Sequence, residues 1–168
     1  PFSLDANGRF SGADIELARD LAAQLGAEPA FIRTSWPGLV NDLHDIRFDV
    51  ALSGIGYTGE RAALGLYSAA YHEGGKTLLA RCEDRERFDT PAELDRPNVR
   101  VIVNPGGTNE RYVREHVRDA QILVHPDNRG VFAEIAAGRA DVMVTDDVEA
   151  ELQARSRPGQ LCRTYPGT

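Results

Sequence analysis

Residues 99–109 most narrow the folds open to this chain, because there an apolar run, Val101-Ile102-Val103, meets the turn Asn104-Pro105-Gly106-Gly107 and then a helical pattern. A buried strand over Arg100–Val103 and a helix beginning at Thr108 or Asn109 make a strand-to-helix unit. Gly106, Gly107 and Thr108 then leave backbone N–H groups at a helix N-terminus, a ready cradle for an anion. Asn-Pro and Gly-Gly pairs also mark turns that bind nothing, so the turn alone leaves both uses open.

The same alternation runs along the chain. After Asp14, the residues Leu17, Ala18, Leu21, Ala22 and Leu25 fall on one helical face and Gly26 supplies a stop. Residues 29–33 read as a short strand. Thr34-Ser35-Trp36-Pro37 reads as a helix start, with a hydroxyl cap, Pro in the first turn, and Leu39, Val40 and Leu43 packing inward. Residues 49–52 read as a buried strand ending in Ser53-Gly54, from which a Gly-rich stretch leads to Arg61.

Gly74-Gly75-Lys76 is a turn before a strand over residues 77–81, and Thr90-Pro91-Ala92-Glu93 is a capping box that starts a short helix. Ile122-Leu123-Val124 is a strand, and Asp127 or Asn128 caps a helix that carries Val131, Phe132, Ile135 and Ala136 and closes at Gly138. Residues 141–144 form another strand, Thr145-Asp146-Asp147 caps the next helix, and residues 160–164 are the last strand. Short apolar strands alternating with helices predict an α/β fold, here in two lobes, 1–79 and 80–168.

Composition limits the partners. The 168 residues, 42% hydrophobic and 27% charged, suit a soluble globular protein. A formal charge of −7 without a Lys/Arg cluster argues against nucleic acid. An anionic ligand must therefore be captured by a few local cations. No apolar run has the length of a membrane span. His44, His72, His116 and His125 are scattered without ligand spacing, so neither a metal nor another cofactor is expected. Cys82 and Cys162 also lack metal spacing; they are either a disulfide of an exported protein or two buried thiols.

Three side chains carry candidate chemistry. Arg61 ends the Gly-rich stretch, where a guanidinium can grip a carboxylate through two parallel hydrogen bonds while Ser53 and Thr58 add hydroxyl donors. A solvated arginine opening a surface helix is the commoner use of that residue. Glu149 lies three residues after Asp146, so both carboxylates fall near the first turn of one helix. A desolvated carboxylic acid beside other negative groups holds its proton more tightly and can donate it near neutral pH. Acids at helix starts more often serve the helix dipole alone. Trp36 lines a pocket or packs in a core.

Taken together, PFSLDANGRFSGADIELARDLA, FDVALSGIGYTGERAALGLYSAAY, the Gly-Gly-Thr turn and ADVMVTDD resemble, in order and spacing, the bacterial extracellular solute-binding proteins of the polar amino-acid type. The resemblance covers essentially the whole chain. It implies a periplasmic-binding-protein-like fold with a ligand cleft between two α/β lobes, and export to the periplasm. It also implies that Arg61 clamps a ligand carboxylate, that Gly106, Gly107 and Thr108 add donors, and that Asp146 meets an α-amino group. Under export, Cys82 and Cys162 are expected to pair.

A narrower resemblance rests on TSWPGL, EGGKT, VIVNPGGTNE, ILVHPDN and VTDDVEAELQ, which look like the cyclohexadienyl dehydratase branch of that family. It implies a carbon–oxygen lyase that takes prephenate to phenylpyruvate and arogenate to phenylalanine. Glu149 is then the general acid, with Asn104 as its partner, Lys76 and Arg61 on substrate carboxylates, and Trp36 against the ring. The alternatives are a non-catalytic amino-acid binder serving an ABC permease and the ligand-sensing ectodomain of a receptor. Members of the family start with a strand before Pro1 and continue past Thr168. This chain is therefore expected to represent part of a longer one, whose first lobe lacks its first strand and whose second ends before the return crossing.

Overall fold

The computed structural model describes residues 3–4 and 9–165, and it divides into two compact units, Pro1–Ala69 and Ala70–Thr168. The first unit contains a short antiparallel pair, β1 (Ser3–Leu4) and β2 (Phe10–Ser11), followed by α1 (Ala13–Gln24), α2 (Leu39–His44) and the single turn α3 (Gly59–Ala62). Gly26 adopts φ 65°, the left-handed conformation that glycine tolerates, just past α1, so the expected stop is there.

Several expectations for this unit are corrected. Residues 29–33 and 49–52 form no strand. A strand needs a neighbour to take its N–H and C=O groups, and among the described residues no segment pairs with either run in a sheet. Phe31, Ile32 and Val50 are accordingly exposed. The leucine face of α1 is open too, with Leu17, Leu21 and Leu25 exposed while Asp14, Ile15 and Ala22 are buried. The second helix begins at Leu39 rather than near Thr34, because Ser35 Oγ accepts the Gly38 N–H (3.2 Å) and closes a separate turn first. Thr34 caps nothing; its hydroxyl bonds the Asp42 carboxylate at 2.7 Å.

The second unit is a five-stranded mixed sheet in the order β5-β4-β6-β3-β7, built from β3 (Lys76–Arg81), β4 (Arg100–Val103), β5 (Gln121–Val124), β6 (Val142–Asp146) and β7 (Leu161–Arg163). Strand β3 lies antiparallel between β6 and β7, whereas β4 runs parallel to both β5 and β6. All of β3 belongs to this sheet, so the second unit begins well before residue 80. Helices α4 (Thr108–His116), α5 (Asn128–Ala136) and α6 (Asp147–Ser156) complete it, with two short 3-10 turns at Cys82–Arg87 and Pro91–Glu93. The capping box forms, Glu93 accepting the N–H groups of Asp89 and Thr90, but only a 3-10 turn follows it.

Near-continuous apolar strands require a sheet covered on both faces. Val101, Val103, Val142, Val144, Leu78 and Ala80 point to one side and meet Val113 of α4 together with Phe88, Leu94, Val99 and Val117. Ile102, Met143 and Leu79 point to the other and meet Val131, Phe132 and Ile135 of α5 and Ala150 of α6. Each large side chain buried this fully contributes about 1.5–3 kcal/mol.

At the edge of this sheet where β4 and β6 begin, Asp141 holds two arginines. It accepts from Arg100 N (2.9 Å), Nε (3.0 Å) and a terminal guanidinium nitrogen (2.7 Å), and from Arg81 at 3.4 Å. Arg100 also donates to the Gly138 and Arg139 carbonyls, and Arg81 to those of Ile135 and Ala140. Near the same edge Cys82 and Cys162 form a disulfide across a sequence separation of 80, joining the end of β3 to β7. Closing a loop of that size removes about 4–5 kcal/mol of unfolded-chain freedom in the entropic account.

Burial pushes the Asp141 carboxyl up, but the Arg100 hydrogen bonds and charge, with Arg81, outweigh it and hold the group below its ordinary range. A carboxyl depressed in the folded state stabilises above its unfolded pKa, about 3.9, and loses that contribution as pH falls through the lower folded value. Asp141→Asn is expected to cost about 2–3 kcal/mol at pH 7, because it removes the buried negative charge that Arg100 and Arg81 share. In urea titrations between pH 7 and pH 2, the variant should also lose less stability on acidification than the native protein.

Candidate functional site

Parallel strands β4, β5 and β6 end at the sheet edge opposite the Asp141 cluster, and the antiparallel strand β3 starts there. In open α/β sheets, ligands favour the carboxyl ends of parallel strands. The register sets Lys76 directly opposite Asp146. Lys76 Nζ donates to Asp146 Oδ1 (2.6 Å), Thr108 Oγ1 (2.8 Å) and Asn109 Oδ1 (2.6 Å), which satisfies the three donors of an ammonium. The Asn109 amide nitrogen reaches Thr145 Oγ1 at 3.5 Å. The Lys76 side chain is 19% exposed, while that of Asp146 is 55% exposed and faces solvent.

The Gly-rich turn delivers α4 to this cluster. Gly106 adopts φ 77° and Gly107 is the N-cap, so Thr108 is the first helical residue. One expectation needs correction here. The Gly106 N–H is not available, because Glu110 turns back to accept it at 2.7 Å. That bond, with the Arg114 ion pair, holds the Glu110 carboxyl below its ordinary range. The part of the cradle that remains is Gly107 and Thr108 at the opening of α4.

Asn104, at the end of β4, is buried with 4% of its surface exposed. Glu149 lies in the first turn of α6, three residues beyond Asp146. It is half-buried, and its Oε1 accepts from Gln153 Nε2 at 2.7 Å.

In the first unit, Thr58 caps α3 by accepting the Arg61 N–H at 3.2 Å. The Arg61 guanidinium donates to the Gly56 carbonyl (3.3 Å) and lies over the Trp36 ring, 5.4 Å from its centroid. Tyr67 donates to the same carbonyl (3.1 Å) and meets Tyr57 edge-on at 5.2 Å. Trp36, Thr58 and Arg61 thus form one cluster, while Ser53 is half-buried nearby in sequence with no role in it.

Sequence reasoning missed Asn109, Gln153, Tyr67 and the Glu110 return bond. Only the Glu110 bond had a legible signal: Glu four residues after Gly106, in the first turn of a helix. Among the described residues no group of three or more His, Cys, Asp or Glu is placed to hold a metal, and no helix is long and apolar enough to cross a membrane.

The Lys76 cluster makes a quantitative prediction. In a double-mutant cycle of Lys76→Met and Asp146→Asn, urea unfolding should give a coupling of about 0.5–1 kcal/mol, limited by the exposure of Asp146. Additive losses would contradict the pairing.

Comparison with known proteins places this geometry in context. The chain is 45% identical to the cyclohexadienyl dehydratase of Pseudomonas aeruginosa over 167 residues, covering 99% of this chain and 62% of that protein. It thus spans less than two thirds of that relative's length. Among solved structures it matches the ancestral amino acid-binding protein AncCDT-1, a precursor of cyclohexadienyl dehydratase, with a TM-score of 0.88 and 31% identity, covering 99% of this chain and 77% of that one. It also matches an ancestral cyclohexadienyl dehydratase with a TM-score of 0.52 and 44% identity, covering 97% and 67%. Residues 1–155 match the bacterial extracellular solute-binding proteins, family 3, and the chain belongs to that family.

Proposed function

We propose that the protein carrying this chain is a periplasmic cyclohexadienyl dehydratase, a carbon–oxygen lyase that converts prephenate to phenylpyruvate and arogenate to phenylalanine. The observation that carries this reading is Glu149: a half-buried carboxyl one helical turn from Asp146, on the sheet edge that also holds the Lys76 ammonium and the buried Asn104. The identity of 45% to the Pseudomonas dehydratase supports it. The Cys82–Cys162 disulfide supports an oxidising compartment such as the periplasm.

Aromatising the substrate ring breaks two bonds. The ring C–O bond breaks as the hydroxyl leaves, and the ring carboxylate leaves as carbon dioxide, its C–C bonding electrons completing the aromatic ring. Hydroxide is a poor leaving group, so a proton donor at that oxygen is the main requirement. Glu149 supplies the proton, the hydroxyl departs as water, and Glu149 is recharged from solvent. No oxidant, reductant or cofactor enters the balance.

The substrate's two carboxylates need cations. In the first unit, the donors of the Arg61 guanidinium that Gly56 leaves unused suit a carboxylate, with Thr58 as the hydroxyl beside it. In the second unit, Gly107 and Thr108 at the start of α4, beside the positive charge of Lys76, suit a carboxylate. Asp146 holds Lys76 in place and, for arogenate, offers a carboxylate to the amino group.

A second reading, non-catalytic binding of a polar amino acid for an ABC permease, is favoured by the TM-score of 0.88 to an ancestral amino acid-binding protein. Turnover separates the two. Glu149→Gln should lower kcat for prephenate by roughly 100- to 10,000-fold, read by the ultraviolet absorbance of phenylpyruvate, while prephenate binding persists. Near-native turnover by the variant would contradict Glu149 as the acid. Tight amino-acid binding with no product from the native protein would favour the binder.

A further inference from the structure

Helix α6 carries two rows of paired side chains that differ in their surroundings. Glu151 and Arg155 form an ordinary surface pair at 2.7 Å, with side chains 48% and 78% exposed. Glu149, Gln153 and Arg157 form the other row at i, i+4 and i+8, and all three are half-buried. Gln153 Nε2 donates to Glu149 Oε1 at 2.7 Å, and Gln153 Oε1 accepts from the Arg157 guanidinium. That guanidinium lies over the ring of Phe132, 5.8 Å from its centroid, and Phe132 is a core residue of α5. The row therefore runs from a carboxyl at the ligand edge of the sheet to the hydrophobic core.

From this we infer that Gln153 is a positioning residue for the general acid, fixing the Glu149 carboxyl so that one oxygen is committed and the other faces the substrate; the inference rests on the dehydratase reading. A glutamate at the start of a helix has three rotatable bonds, and a donor must hold its proton in line with the departing oxygen. The Gln153 amide can only donate from Nε2, so Oε1 is the acceptor and the acidic proton resides on Oε2. Arg157 can only donate, so it binds Gln153 Oε1 and orients the amide with its nitrogen toward Glu149. Arg157 thus sets which end of Gln153 meets the acid, and Phe132 anchors Arg157. In the reaction Oε2–H gives its proton to the hydroxyl as the C–O bond breaks. Gln153 and Arg157 neither gain nor lose a proton.

The test is Gln153→Met, which keeps length and helix propensity and removes the donor. With prephenate as substrate, kcat should fall roughly 10- to 100-fold while KM stays within about twofold and the thermal midpoint is retained. In a Glu149→Gln background the same substitution should cause no further loss, because no acid remains to be positioned. Unchanged kcat, or an equal loss in both backgrounds, overturns the proposal while leaving the dehydratase reading intact. No turnover by the native protein overturns both. Should Gln153→Met fail to fold, Arg157→Met is expected to lower kcat without raising KM, and an unchanged kcat there overturns the proposal equally.

Discussion

The antiparallel pairing of β3 with β6 puts Lys76 opposite Asp146, and the geometry at that edge of the second unit follows from this register. A slip of one residue would turn Lys76 to the other face and part it from Thr108 and Asn109. The register is secured from both faces, because Leu78 and Val144 point into one core and Leu79 and Met143 into the other. The sheet edges divide the tasks. The edge with Asp141, Arg100 and Arg81, and the disulfide near it, ties strands and loops together with every strong donor spent on protein acceptors. At the opposite edge Asp146 faces solvent and Glu149 sits partly open.

The second unit was largely legible in the sequence because each element carried its own signal. The run Val101-Ile102-Val103 before Gly-Gly, the Asp127 cap and Gly138 at φ 71° all act within a few residues, and each has its expected local effect. The first unit was less legible because its apolar runs depend on distant partners. Residues 29–33 and 49–52 have strand-like composition, yet a strand is a property of a pair, and neither has a paired strand among the described residues. The open leucines of α1 have the same cause. Periodicity identified the helix but not what covers it.

At the candidate site, residue types were legible and their partners were not. Lys76, Thr108 and Asp146 stood out individually, but that one ammonium gathers all three roles with Asn109 depends on strand order, which short-range patterns do not encode. The free cradle expected at Gly106 was narrowed by Glu110, a side chain that competes for the same N–H as an anion would. Gln153 was invisible for a related reason: glutamine on a helix is unremarkable until its neighbours at i−4 and i+4 are seen to be half-buried.

The central claim is that this ligand edge does chemistry on a bound carboxylate as well as holding it. The most direct test incubates the protein with prephenate labelled in the ring carboxylate and measures labelled carbon dioxide against phenylpyruvate over many turnovers. The account predicts release of the two in equal amounts, at a rate proportional to protein concentration. Stoichiometric retention of a small ligand with no labelled carbon dioxide above the uncatalysed background would contradict it.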